Sequence, residues 1–240
     1  MSEISKTIKT RPILFSGPMV RAILEDRKTM TRRVVKLPSW STGDWGDFEY
    51  GSDELPEIIC KKTGCLATIP CPYGNPGEQL YVKESFVTAS QLNADGHINA
   101  RYLADDHCFE IDGSEYTMGR IRLGVTRTGR FAPKWASRIT LEIVSVRVER
   151  LQDISDDDAW AEGYSAYEKS LSPRQWDTHM SDAARIARRM RPDAASTFPA
   201  AHFAALWNAI NSKREGCSWE ANPYVWVVEF KVLEPSASAA

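Results

Sequence analysis

The chain has 240 residues, 42% hydrophobic and 26% charged, with a formal net charge of -2. That balance fits an ordinary folded protein with a sizeable core. It excludes a chain coated in cations for nucleic acid, yet permits a local basic site. No run approaches the ~20 apolar residues that span a bilayer. Arg21 interrupts the only early apolar stretch, and five cysteines are an odd number that disfavours a closed disulfide framework. A cytoplasmic protein without membrane attachment is the expectation.

In chain order, "RPILFS" reads as a short buried strand. "GPMVRAILEDRK" reads as a helix with Ser16 or Gly17 as cap, Pro18 in the first turn, and Val20, Ile23 and Leu24 on one apolar face. Arg27 and Lys28 then fall in the last helical turn, where cations suit the helix dipole. "MTRRVVKL" has strand character. Residues 39–78 are rich in Gly, Pro, Asp, Ser and Trp and predict a long insertion with little regular structure. "EQLYVKESFV" (78–87) alternates as one half-buried strand, and Asp112-Gly113 signals a hairpin turn.

"SRITLEIVSVRVERL" (137–151) is the clearest strand, with a phase shift that predicts a bulge near 143–144. "ISDDDAWAEGY" predicts a short helix capped by Ser155, crowded by Asp156, Asp157 and Asp158 in its first turn, and stopped by Gly163. Two helices follow, "SDAARIARRM" and "TFPAAHFAALWNAIN", then a last strand, "YVWVVEFKVL", and a frayed tail. Long strands with intervening helices and no steady alternation predict an α+β domain with a mixed sheet, closed into a small barrel.

The densest chemistry lies in "LEDRKTMTRRVV". Thr31 carries a hydroxyl that needs a base or an oriented charge to act as a nucleophile. Lys28, three residues earlier, reaches the same side only if the chain is still turning there. Arg27, Arg32 and Arg33 disfavour the ammonium form of Lys28, as does burial, and so favour an amine that can take a proton. The plain alternative is a solvated basic helix end. Glu162 is unusual in ending a short helix, where the dipole does not help a carboxylate. Glu84, in "YVKESF", is a second carboxylate candidate. Cys60, Cys65 and Cys71 are spaced loosely for zinc, with Cys108 or Cys217 as a further ligand. The four histidines, His97, His107, His179 and His202, show no paired spacing. Trp40, Trp45, Phe48 and Tyr50 can stack on a nucleobase or pin the insertion to the body.

"DRKTMTRR", followed downstream by "AWAEG" and "WVVEFKVL", resembles the ASCH superfamily, relatives of the PUA RNA-binding fold. Its pattern is G-x-K-x-x-E-x-R; here Asp26 stands at the Gly, Lys28 at the Lys, Thr31 at the Glu and Arg33 at the Arg. Threonine for glutamate is similar to the small bacterial N4-acetylcytidine amidohydrolases, with their D-R-K-T-I-T-I-R segment. "NPGEQLYVKE", "CPYG" and "WASRITLEI" resemble the larger members carried by phages and prophages. The resemblance implies one ASCH, PUA-like domain over 1–240, a small mixed β-barrel with flanking helices and insertions at about 39–75, 90–135 and 164–215. It implies a catalytic set of Lys28, Thr31 and Glu162, with Arg33, Arg27, Arg32 and Glu84 toward the substrate and no cofactor or metal. The implied activity is removal of the acyl group from N4-acylated cytosine nucleosides or bases. The alternatives are an RNA-binding or RNA-processing module, with "RIARRMR" adding phosphate contacts, and an accessory protein that binds a modified base without turnover.

Overall fold

A computed structural model describes residues 8–36, 45–50, 56–60, 66–193 and 195–233. Its centre is β11 (Thr140–Arg150), which pairs antiparallel along its length with β12 (Tyr224–Leu233). Leu141 and Ile143 point inward, and the register then skips Val144: Ile143 faces Phe230 while Ser145 faces Glu229. This is the bulge read from the sequence. It turns Val144 to solvent and returns Val148 to the core. β12 buries Val225, Trp226, Val227, Val228 and Phe230 in near-continuous succession, as a strand covered on both faces does.

Three five-residue strands complete this sheet: β1 (Thr10–Leu14), β2 (Met30–Val34) and β6 (Gln79–Lys83). The order is β1-β6-β11-β12-β2, with β1 parallel to β6 and the other pairs antiparallel. The fold is therefore a mixed α+β arrangement. The expected closed barrel is not found: β1 and β2 are open edges, and among the described residues no ladder joins them. Where a barrel would close, the Arg33 guanidinium of β2 donates to the Leu14 carbonyl of β1 at 2.8 Å. A side chain thus spans a gap that is too wide for backbone pairing.

Three other expectations fail for local reasons. The stretch 78–87 breaks at Glu84–Ser85, and its second half, β7 (Phe86–Thr88), joins a different sheet. That sheet runs β10-β7-β8-β9, with β8 (Ile98–Tyr102), β9 (Cys108–Ile111) and β10 (Thr126–Arg127), over a separate core around Phe86, Ile98 and Ile111. Asp112-Gly113 makes no hairpin. The Asp112 carboxylate accepts from the Ser114 amide at 2.7 Å and starts a single helical turn, α2 (Ser114–Thr117). The segment expected to be irregular holds three antiparallel strands, β3 (Trp45–Tyr50), β4 (Pro56–Cys60) and β5 (Leu66–Thr68). Trp40 lies outside the described residues.

Helices cover the main sheet. They are α1 (Gly17–Leu24), α3 (Asp156–Ala161), α4 (Tyr164–Glu168), α5 (Pro173–Met190) and α6 (Pro199–Asn211). α6 is apolar around most of its circumference and buries Phe203, Leu206 and Trp207, so it sits inside the helical layer. Among the described residues, no helix is long and apolar enough to cross a membrane.

Glu84 stands at the break between β6 and β7. It is 2% exposed and makes a two-pronged pair with Arg138, Oε1 to Nε at 2.9 Å and Oε2 to Nη2 at 3.0 Å. Arg138 also holds Asp105 and lies 4.1 Å from the Tyr102 ring centroid. Removing one member strands a buried charge. Arg138→Met is expected to destabilise the fold by about 3–5 kcal/mol, measured as a shift of the urea unfolding midpoint. A loss under about 1 kcal/mol would mean that the pair is a solvated surface contact.

Candidate functional site

The functional segment begins where α1 ends, earlier than its composition predicts. Asp26 takes a left-handed backbone (φ 54°), and the Arg27 and Lys28 amides both bond to the Ala22 carbonyl, at 2.8 and 3.0 Å. Lys28 thus lies in a reversal between helix and strand, not in a helical turn. Thr31 is the second residue of β2, opposite Val228. The reversal, not helical spacing, brings Lys28 and Thr31 to the wall of the same cavity.

Glu162 reaches that cavity from α3. Ser155 caps this helix by accepting from the Asp158 amide at 3.0 Å, and Gly163 ends it in the left-handed region (φ 72°). Lys28 Nζ donates to the Met30 carbonyl at 2.6 Å, the Glu162 carbonyl at 2.8 Å and Glu162 Oε2 at 2.9 Å. Both side chains are buried. Burial is the largest influence on the Lys28 amine and pushes its pKa below the ordinary value; Glu162 opposes this, and Arg33 and Arg32 add to it. The arginines act in the direction expected from sequence, but burial comes first. Glu162 Oε1 is buried and has no hydrogen bond among the described residues; Arg32 Nη1 is 3.5 Å away.

The three arginines have different places. Arg32 is wholly buried, pairing with Asp158 Oδ2 at 2.6 Å and with Glu149. Arg147 shares both carboxylates, at 3.1 Å each. Arg33 is half-buried, lines the cavity and lies 5.3 Å from the Phe15 ring centroid, with Lys28 Nζ 5.5 Å from the same ring. Arg27 turns away to pair with Glu25 and reach Ser165 Oγ at 3.3 Å, and it is not part of the cavity wall. Glu84 is not part of it either. Lys28, Thr31, Glu162, Arg32 and Arg33 come together; Arg27 and Glu84 serve other contacts.

The cavity holds about 120 Å³ and is walled on its apolar side by Phe15, Met19, Phe203, Leu206 and Trp207. Sequence reasoning puts Phe203, Leu206, Trp207 and Ile210 on one apolar face of α6 but gives no sign that this face walls the cavity. It also read Asp158 as a cap residue alone, although Asp158 neutralises Arg32. Of the cysteines considered for zinc, Cys65 and the Cys60 side chain lie outside the described residues. Cys71 is a half-buried free thiol whose pKa burial raises.

No family model and no curated protein matches the chain. Among solved structures, it is similar to the high-resolution crystal structure of an ASCH domain from Lactobacillus crispatus JV V101. The identity is 13% over 93% of this chain and 79% of that one, with a TM-score of 0.32. At that level the match decides neither fold nor chemistry, which rest on the residues themselves.

Gly163 leaves little room for a side chain. A Cβ there would stand 3.0 Å from Lys28 Cβ and 3.1 Å from Ala22 Cβ. Gly163→Ala is expected to cost about 1–2 kcal/mol from backbone strain alone, with further loss from displacing Lys28. Urea unfolding measures it; an unchanged midpoint would show that the left-handed turn relaxes freely.

Proposed function

We propose that the chain is a single ASCH-type domain, and that its cavity hydrolyses the amide of N4-acylated cytosine nucleosides or bases. The observation that carries this reading is a buried lysine amine, lowered in pKa, sharing one small cavity with a threonine hydroxyl and a carboxylate that has one unbonded oxygen. Basic patches that bind phosphate keep their cations solvated and charged. A buried amine with reduced proton affinity suits proton transfer. The cavity is smaller than the ~300 Å³ of drug-sized pockets, so it suits an acylated base edge with any sugar directed outward.

In this mechanism Lys28 passes its proton to Glu162, to which it is already hydrogen-bonded, and becomes a neutral amine. The Thr31 oxygen attacks the acyl carbonyl as its proton moves to Lys28. The resulting ammonium faces the developing oxyanion. The carbon–nitrogen bond breaks as Glu162, now protonated, delivers its proton to the departing exocyclic amine of cytosine. Water then attacks the threonine ester as its proton passes to the Glu162 carboxylate, and Lys28 returns its proton to the departing Thr31 oxygen. The free acid leaves, and Glu162 hands its proton back to Lys28. Arg33 steadies the base from the cavity mouth, and Arg32 fixes Glu162 from behind.

The test is purified protein with N4-acetylcytidine, followed by ultraviolet absorption. Lys28→Met, Thr31→Val and Glu162→Gln are each expected to lower kcat/KM by about 10²–10⁴, with circular dichroism unchanged. Because the Lys28–Glu162 pair must keep its shared proton, and the folded Lys28 holds a proton less tightly than the ~10.4 reference, kcat/KM is expected to fall with rising pH along a limb that begins below that value. An inactive wild type sinks the reading. So does the same alkaline fall in Lys28→Met. RNA retention on filters that weakens steeply with salt, without turnover, would favour the RNA-binding alternative instead.

A further inference from the structure

Three helices meet at a second cluster of reactive side chains. Glu168 ends α4, His179 lies in the second turn of α5, and His202 lies in the first turn of α6. Glu168 Oε1 is 2.8 Å from His179 Nε2 and 2.5 Å from His202 Nδ1, and one donor atom from each residue fits within 4.8 Å of the others. All three side chains are largely buried. Two imidazole nitrogens and a carboxylate oxygen are a donor set for zinc and related first-row ions.

The hydrogen bonding around His202 points the same way. Its Nε2 is 2.9 Å from Thr197 Oγ1. An Nε2–H donated to that hydroxyl leaves a lone pair on Nδ1. Nδ1 is buried and has no hydrogen bond of acceptable geometry among the described residues, although it lies close to Glu168 Oε1. In that tautomer a lone pair faces a carboxylate oxygen, an arrangement that either a proton on Nδ1 or a metal cation between the two atoms relieves. The ring is also held in place, with Tyr164 stacked at 5.6 Å and His179 tilted at 5.6 Å. Such outer support is what fixes the orientation of an imidazole ligand.

We propose that Glu168, His179 and His202 bind one divalent transition-metal ion that ties α4, α5 and α6 together. Ligand bonds of about 2.0–2.2 Å place tetrahedral donors about 3.4 Å apart. The two short separations must open and the imidazole nitrogens adjust, movements of ~1 Å for side chains at helix ends. A cavity of about 320 Å³ is lined by His179. Because α4 starts directly after Glu162 and Gly163, and α6 walls the catalytic cavity, the ion would brace both sides of the proposed active site without entering it. This proposal stands whether or not the cavity is an amidohydrolase.

The experiment uses tag-free, chelator-treated full-length protein. Co²⁺ is titrated in and its visible ligand-field absorption followed; Zn²⁺ is then added and the bound metal and Tm measured. The expected result is a band saturating at one equivalent, displacement by Zn²⁺, and a higher Tm with Zn²⁺. His179→Ala and His202→Ala are expected to abolish the band, and Glu168→Gln to weaken binding by about 10-fold or more. Wild type with neither a band nor a Zn²⁺-dependent Tm overturns the proposal, whatever the variants do. A thiolate-to-cobalt charge-transfer band, or a band retained in both histidine variants, overturns it by placing the ion on other residues.

Discussion

The architecture around the site depends on one constraint: two cations, Lys28 before β2 and Arg32 within it, are buried close together in the chain and must be neutralised there. Glu162 answers Lys28; Asp158 and Glu149 answer Arg32, with Arg147 connecting the last two. These carboxylates come from α3 and β11, so the charge balance fixes the short helix against β2. Had α3 been placed by apolar packing alone, a sliding or rotated helix would cost little. Unpairing two buried cations costs far more than a shifted methyl group, and the helix is held to one position.

The same arrangement separates roles that the basic cluster blurs. Arg32 is saturated by carboxylates, and Arg27 is directed outward to Glu25. Of the cluster's cations, Lys28 and Arg33 line the cavity without being saturated by two carboxylates. Lys28 is held between opposing influences: burial lowers its proton affinity and Glu162 restores part of it. An amine balanced in that way can take and return a proton, whereas the guanidinium groups stay charged throughout.

What the sequence revealed depended on how local each signal was. The bulge in β11, the Ser155 cap and the Gly163 stop are written within a few residues, and all three stand in the structure. Lys28, Thr31 and Glu162 were found together through motif resemblance, while the reason they meet, a left-handed Asp26 and a shared Ala22 carbonyl, left no periodic trace. Asp112-Gly113 gave a turn signal, but the Asp112 side chain captured the Ser114 amide and directed the chain into helix. Barrel closure depends on the spacing of two edge strands far apart in sequence, which composition does not encode. His179 and His202 lie on different helices and meet only through the packing of α5 on α6, so no spacing rule could have joined them.

The sheet order has a consequence for when the site comes into being. Among the described residues, β2, which carries Thr31, Arg32 and Arg33, hydrogen-bonds within the sheet only to β12. Those two strands are separated by almost the whole described chain, and the loop between them must be closed before either is fixed. Thr31, Arg32 and Arg33 are therefore synthesised well before the strand that fixes them in the sheet. During synthesis β11 can pair with β6 while its other edge waits for Tyr224–Leu233. The segment that carries Thr31, Arg32 and Arg33 then acquires its shape in the same step that completes the sheet, so a chain with a formed cavity is one whose central sheet has assembled.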